Sequence, residues 1–175
     1  MGVAMNVKVR LGLALAVLVA LLLGLWWWLR PISTDVSVYF IRAEGTASTL
    51  QHAPRRVTAR GTTALVTAAL QQLLSGPSEA ERSAGLVTAI PSGSRLRNAQ
   101  MRNGLVIVDF SGAIESGGGS ASMLARFWQI VYTATQFPQA PRVRILIDGQ
   151  ERRAMGGEGV IIDRPIARPP TIPRF

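Results

Sequence analysis

Residues 95–110 read RLRNAQMRNGLVIVDF, two runs from Arg95 to Met101 and from Leu105 to Phe110 that flank Arg102, Asn103 and Gly104. An Asn-Gly pair tolerates positive φ at both centres of a tight turn whose twist matches paired strands, so the stretch predicts an antiparallel hairpin. On its second strand Val106, Val108 and Phe110 share one face, and Leu105, Ile107 and Asp109 share the other. Such a strand asks for a sheet covered on at least one side.

Upstream of the hairpin, Thr62 or Thr63 is placed to cap a helix with a buried stripe of Leu65, Val66, Ala69, Leu70, Leu73 and Leu74. Gly76 and Pro77 stop it. Ser78 and Glu81 then have capping-box spacing and predict a further turn or two from Ser78 to Ala84, closed by Gly85. Earlier still, VSVYFIR at 36–42 alternates as a strand covered on both faces. Gly45, Thr46, Ser48 and Pro54 make 43–54 read as a loop, with a short edge strand over Arg55 to Arg60.

Downstream, the glycine-rich link Ser116 to Ser120 leads into a second helix with a polar stripe at Arg126, Gln129, Thr133 and Gln136. Pro138 ends it. Val143, Ile145 and Ile147 alternate into an Asp148-Gly149 turn, and Val160 to Ile162 suggests one more strand. From Arg164 the chain has four prolines and no apolar period, so it is expected to be extended and mobile. Strand, edge strand, helix, hairpin, helix, strand is the order of an α+β domain: an antiparallel or mixed sheet with two main helices packed on it.

Ahead of that domain lies LGLALAVLVALLLGLWWWL, Leu11 to Leu29, without a charge or a proline. As a helix it rises about 28 Å, the thickness of a bilayer's hydrocarbon, and is expected to be a retained transmembrane helix. It is longer than a signal-peptide core and ends in three tryptophans rather than small residues. The chain has no cysteine, so no thiol is there to carry a lipid anchor. Lys8 and Arg10 before the segment favour a cytoplasmic N-terminus, which puts the remainder on the extracytoplasmic side of the cell membrane. The division is then a cytoplasmic N-terminus 1–10, the helix 11–29, a linker 30–35, a domain 36–163 and a Pro/Arg-rich tail 164–175.

Setting aside Lys8, Arg10 and Arg30, 16 of the 19 basic residues remain, all arginine, against 10 acidic ones. The excess suits anionic neighbours in the envelope, though it is dispersed and codon preference explains it as well. Nucleic acid is not an expected partner outside the cytoplasm.

Several of these segments together resemble the GerMN domain family of sporulation and germination envelope proteins. They are VSVYF at 36–40, LLSGPSEAE at 73–81, GLVTAIPSGSRL at 85–96, GLVIVDFS at 104–111, QIVYTATQFP at 129–138 and VRILIDG at 143–149. The resemblance implies an envelope domain acting in assembly of cell-surface, sporulation or germination machinery, with another envelope protein or peptidoglycan as partner. It implies no catalytic residue, no cofactor and no small-molecule substrate. The motif positions Gly76, Pro77, Pro91, Asp109, Phe110, Ser111, Asp148 and Gly149 read as structural: helix stop, turn, and strand-end capping.

His52 with Asp109 and Ser111 makes a nominal triad, but nothing in the spacing links the three and Ser111 lies in no nucleophile elbow. Asp109 and Asp148 both fall at strand ends, so a glycan hydrolase using the pair is the alternative function; it requires carboxyls within about 10 Å. One histidine and no cysteine offer no metal set. The glycines at 117–119 precede a helix as an anion loop would, yet lack its Lys-Ser/Thr ending and read as a flexible connector. A binding module docking through an exposed sheet edge or the polar face of a helix is the leading expectation.

Overall fold

The structure is a computed structural model that describes residues 7–29, 33–45, 47–156 and 159–175, with the side chains of 7–10, 28 and 29 not described. Expectations about residues 1–6, the linker positions 30–32 and Thr46, and about the side chains of Lys8, Arg10, Trp28 and Leu29, lie outside the described residues. Two units are distinct, Met1–Ile32 and Ser33–Phe175.

The first unit contains α1, Val7–Leu29, 23 residues long. Every described side chain from Leu11 to Trp27 is exposed, and with leucine, valine, alanine or glycine around the whole circumference there is no polar face. The helix at Leu11–Leu29 is therefore present, while its reading as a span is not supported. Among the described residues no helix is long and apolar enough to cross a membrane.

The second unit is α+β with mixed and antiparallel sheets. It opens on a hairpin, β1 Ser33–Glu44 and β2 Ala47–Thr58, paired over its full length from Ser33↔Thr58 to Glu44↔Ala47. The expected loop at 43–54 is thus mostly strand. The ladder accommodates Pro54, a residue that signals loops, within β2. Its partner Ser37 turns its N–H and C=O toward Gln136, away from β2. By antiparallel alternation Pro54 turns its backbone outward too, where the N–H it lacks would serve no ladder bond.

After the hairpin come α2 Thr62–Leu74, α3 Glu79–Ser83 and the short β3 Leu86–Val87, which completes a sheet of order β2-β1-β3. The cap of α2 is Gly61, with φ of 80° and no side-chain bond, rather than a threonine. Val66, Ala69, Leu70 and Leu73 are its buried stripe, with Leu65 and Leu74 at the margin. The Ser78–Glu81 capping box is formed, and Gly76 and Gly85 take the left-handed conformation that ends each helix.

β4 Leu96–Arg102 and β5 Leu105–Phe110 form the hairpin read from Asn103-Gly104, whose φ angles of 50° and 74° suit a type I′ turn. A 3₁₀ turn, Gly112–Glu115, and α4, Ser120–Ala134, then cross over to β6, Arg142–Ile147, parallel to β5. With β7 Gln150–Glu151 and β10 Ile166–Ala167 this second sheet has order β10-β6-β5-β4, and β8 Ala154–Met155 pairs with β9 Val160–Ile161.

The main core takes Val38 and Phe40 from the first sheet, Val106, Val108, Phe110, Val143, Ile145 and Ile147 from the second, and inward residues of α2 and α4. The tail differs from expectation. Residues 166–167 join β6, and Phe175 exchanges two backbone hydrogen bonds with Ser48 at the outer edge of β2. Proline removes donors without preventing a segment from lying extended along a surface.

Candidate functional site

Three of the strand-end motif groups meet at one corner. Asp109, at the end of β5, accepts from the Gly149 N–H at 2.8 Å and faces Arg97 Nε at 3.2 Å. Asp148, in the turn after β6, accepts from the Gly112 N–H at 3.1 Å and from Arg97 Nη1 at 3.0 Å. Each carboxylate therefore holds the chain where the neighbouring parallel strand ends, and one guanidinium from β4 joins them. Local sequence sets this up. Asp148 and Gly149 have φ of 50° and 77°, a turn that aspartate and glycine accept. A Cβ at position 112 would lie 2.6 Å from Asp148 Oδ2, so a larger residue there would push the carboxylate off the Gly112 N–H.

The distance condition for a carboxylate pair is met, since both groups bind the same guanidinium. Their oxygens are nonetheless engaged by arginine and backbone amides. Ser111 is occupied as well: its Oγ accepts from the Arg95 N–H at 3.1 Å and its N–H donates to the Arg95 carbonyl at 2.9 Å, bracing the bulge between Leu96 and Asn98. His52 is exposed on β2 opposite Tyr39, on a strand rather than in a loop, and the structure brings it to neither partner of the nominal triad. Phe110 is core. Gly76 and Pro77 close α2, and Pro91 begins the turn to Ser94, whose N–H donates to its carbonyl at 3.2 Å. Among the described residues no group of histidine, cysteine, aspartate or glutamate is placed to hold a metal ion.

The polar stripe of α4 is not an open face. Arg126, Gln129 and Thr133 are 2%, 0% and 0% exposed. Gln129, Thr133 and Gln136 serve the edge of β1 that no strand covers along 37–39. Gln136 accepts from the Ser37 N–H at 2.7 Å and donates to its carbonyl at 2.9 Å. Thr133 Oγ1 accepts from the Tyr39 N–H at 3.2 Å, and Gln129 Nε2 donates to the Tyr39 carbonyl at 3.0 Å. Gln129 Oε1 also accepts from the Ala89 N–H at 2.8 Å. The helix, with Gln136 just past its C-cap Thr135, thus acts as a substitute strand, its side-chain amides standing where a neighbour's peptide groups would be.

Arg126 completes this row. Its guanidinium donates to the carbonyls of Ala89, Ile114, Ser116 and Gly117, and burial pushes its pKa down against the opposing charge of Glu115. The glycine-rich link is accordingly pinned by its carbonyls to a buried cation, so it is neither an anion cradle nor a free connector.

A third cluster is aromatic. The rings of Tyr39 and Tyr132 lie 5.3 Å apart and those of Trp128 and Tyr132 6.1 Å apart, beside buried Ile41, Leu50 and Ala125. Burial pushes the Tyr132 hydroxyl's pKa up, with the positive Arg168 opposing. No sequence motif announced this cluster. Its signal is the outward-facing Tyr39 of an alternating strand combined with aromatics at 128 and 132, one helical turn apart.

The fold and its corner define an α+β module of strand hairpins and a crossover helix whose polar motif residues hold its own backbone. The family model described as Germane, sporulation and spore germination, matches residues 37–153, and the chain belongs to that family. The tandem GerMN domains of the sporulation protein GerM from Bacillus subtilis share the fold at 22% identity and a TM-score of 0.66, over 80% of this chain and 47% of that one. The chain therefore spans about half the length of that tandem structure. The first GerMN domain of the same protein matches at 20% identity and 0.59, over 77% and 98%. A Clostridium perfringens protein assigned as a lipoprotein matches at 21% and 0.56, over 79% and 91%. No curated protein matches.

Proposed function

We propose that this chain is a membrane-tethered binding or scaffold module on the extracytoplasmic side of the cell, contributing to assembly of envelope or sporulation and germination machinery. The observation that carries the reading is that Asp109, Asp148 and Ser111 are all engaged in fixing strand ends. With those groups committed to the backbone, binding by the surface is the reading that the described residues support. Membership of the Germane family supports the setting, as does the likeness to a protein assigned as a lipoprotein.

For the tether, α1 runs 23 residues with no charge between Leu11 and Leu29 and is apolar on all sides, a surface stable in lipid and not in water. Lys8 and Arg10 orient it with the N-terminus inside. Alkaline carbonate should leave the full chain in the membrane pellet, and protease added to intact spheroplasts should degrade residues 33–175. Release by carbonate would sink the tether. For the module, photo-crosslinkers placed across the surface of the domain in cells should capture a discrete envelope protein or peptidoglycan. Capture of nothing refutes the binding reading.

One observation favours a second reading: Asp109 and Asp148 reach the same guanidinium and are close enough for a hydrolase pair. The purified chain is expected to release no soluble muropeptide from peptidoglycan. Release that disappears in Asp109→Asn while the fold persists would establish the enzyme instead.

A further inference from the structure

The tail from Arg168 to Phe175, RPPTIPRF, lies across the aromatic cluster in the manner of a bound peptide. The Arg168 guanidinium carbon stands 5.2 Å from the Tyr39 ring centroid and 4.8 Å from that of Tyr132, a cation over two π faces. Its Nη1 donates to Tyr39 Oη at 3.3 Å and its Nη2 to the Tyr132 carbonyl. The Tyr132 hydroxyl is directed at two carbonyls of the segment, Pro169 at 3.1 Å and Thr171 at 3.0 Å. At the far end Phe175 N–H donates to the Ser48 carbonyl at 3.0 Å and its carbonyl accepts from Ser48 N–H at 2.7 Å. The Phe175 ring packs on the cluster of Ile41, Leu50, Ala125 and Tyr132.

These are the contacts of peptide recognition: a cation in an aromatic notch, carbonyls of a proline-rich stretch read by a hydroxyl, and a strand-edge bridge with its side chain in an apolar seat. The segment behaves as a ligand of the domain rather than a part of its core. Nothing beyond Ile166 joins the main apolar cluster, and Pro170, Thr171, Ile172 and Arg174 stay exposed. The seat is also larger than its occupant. A cavity of about 280 Å³ adjoins Phe175, lined by Val87, Thr88, Ala121 and Ser122 among others, and Val87 is 53% exposed there.

We propose that the Tyr39–Trp128–Tyr132 face is a docking groove for an extended, proline-containing segment of a partner protein, one with an arginine seven residues ahead of a large aromatic. The chain's own residues 168–175 occupy that groove as an intramolecular competitor. The proposal rests on the reading of the domain as a binding module and names the partner class that reading leaves open. β2 offers no rival route by strand addition along its length, because its outer edge is taken at Ser48 by Phe175 and interrupted at Pro54.

A tethered ligand competes at roughly millimolar effective concentration, so a partner segment binds the intact chain only after displacing it. The test uses the full chain in detergent micelles and a fluorescently labelled peptide of sequence RPPTIPRF, followed by anisotropy. The double variant Arg168→Ala, Phe175→Ala removes the competitor's anchors and leaves the groove residues untouched. It should bind the peptide at least tenfold more tightly than the wild-type chain. Peptide with its first arginine replaced by alanine should lose that binding, and tryptophan in place of the final phenylalanine should strengthen it. Equal binding by variant and wild type, or none by a variant with an unchanged circular dichroism spectrum, overturns the proposal.

Should the variant not fold, amide exchange in the wild-type chain decides. Ser48 and Phe175 exchanging faster than Phe40 shows a tail that opens on its own; exchange at the rate of Phe40 shows an integral part of the fold and refutes displacement. Failure here leaves cellular crosslinking through other faces unaffected, so the two readings fail separately.

Discussion

Glu81 serves two structures with two oxygens. Its Oε2 accepts from the Ser78 N–H at 2.7 Å as the third residue of α3, closing the capping box, while Arg55 donates to both oxygens at 2.5 and 2.6 Å and stacks its guanidinium over Phe40. The Arg55 hydrogen bonds hold the Glu81 carboxyl at a pKa of about 2, against an opposing contribution from burial. A carboxyl depressed in the folded state stabilises fully above its unfolded value and loses that contribution as pH falls toward the folded one. Stability should therefore decline between about pH 5 and pH 2, and Glu81→Gln should remove this part of the slope. The variant should cost on the order of 2 kcal/mol at pH 7 by urea titration, the side chains being mostly buried. An unchanged acid limb in the variant would show that other carboxyls govern it. The capping box was legible because its two ends lie three positions apart. The Arg55 pairing was not, because it depends on β2 being a full strand, and Pro54 hid that.

At the scale of elements, α4 shows how a correct pattern supports a wrong assignment of faces. The spacing 126, 129, 133 and 136 does mark one stripe, and amphipathic periodicity directs polar stripes to water. Here the stripe meets unpaired peptide groups of β1, and long amides at positions 129 and 136 are the chemical sign of it: each carries both a donor and an acceptor, as a strand edge does. The two should differ in cost. Gln129→Leu leaves the Tyr39 carbonyl and Ala89 N–H buried without this partner and should destabilise by about 2–4 kcal/mol. Gln136 is half-buried, so water can reach Ser37 in Gln136→Ala and the loss should be nearer 1 kcal/mol. Denaturant midpoints at constant slope measure both. Equal costs would mean that water reaches the two positions alike.

Across residues 33–175, most of what was local was readable, the β1–β2 hairpin apart, and what joins distant segments was not. Asn103-Gly104 declared its hairpin and Asp148-Gly149 its turn, but the parallel pairing of β5 with β6 passes through a crossover helix, and the arrangement of the sheets needs contacts that no spacing encodes. The Asp109–Arg97–Asp148 corner belongs to the same class, since each carboxylate was visible as a strand end while the arginine that joins them sits on the neighbouring strand. Those long-range joins predict how the unit unfolds. Phe40 of one sheet and Val108 and Ile145 of the other lie in one apolar cluster, and α4 both fills that cluster and supplies the bonds along the edge of β1. Neither sheet can open without exposing the face of the other. Residues 33–175 should therefore melt in a single calorimetric transition, with an enthalpy of about 100 kcal/mol near 60 °C and a van't Hoff ratio close to one. Two resolved transitions would mean that the sheets fold apart, and that the helix bonds to β1 without coupling it to the rest.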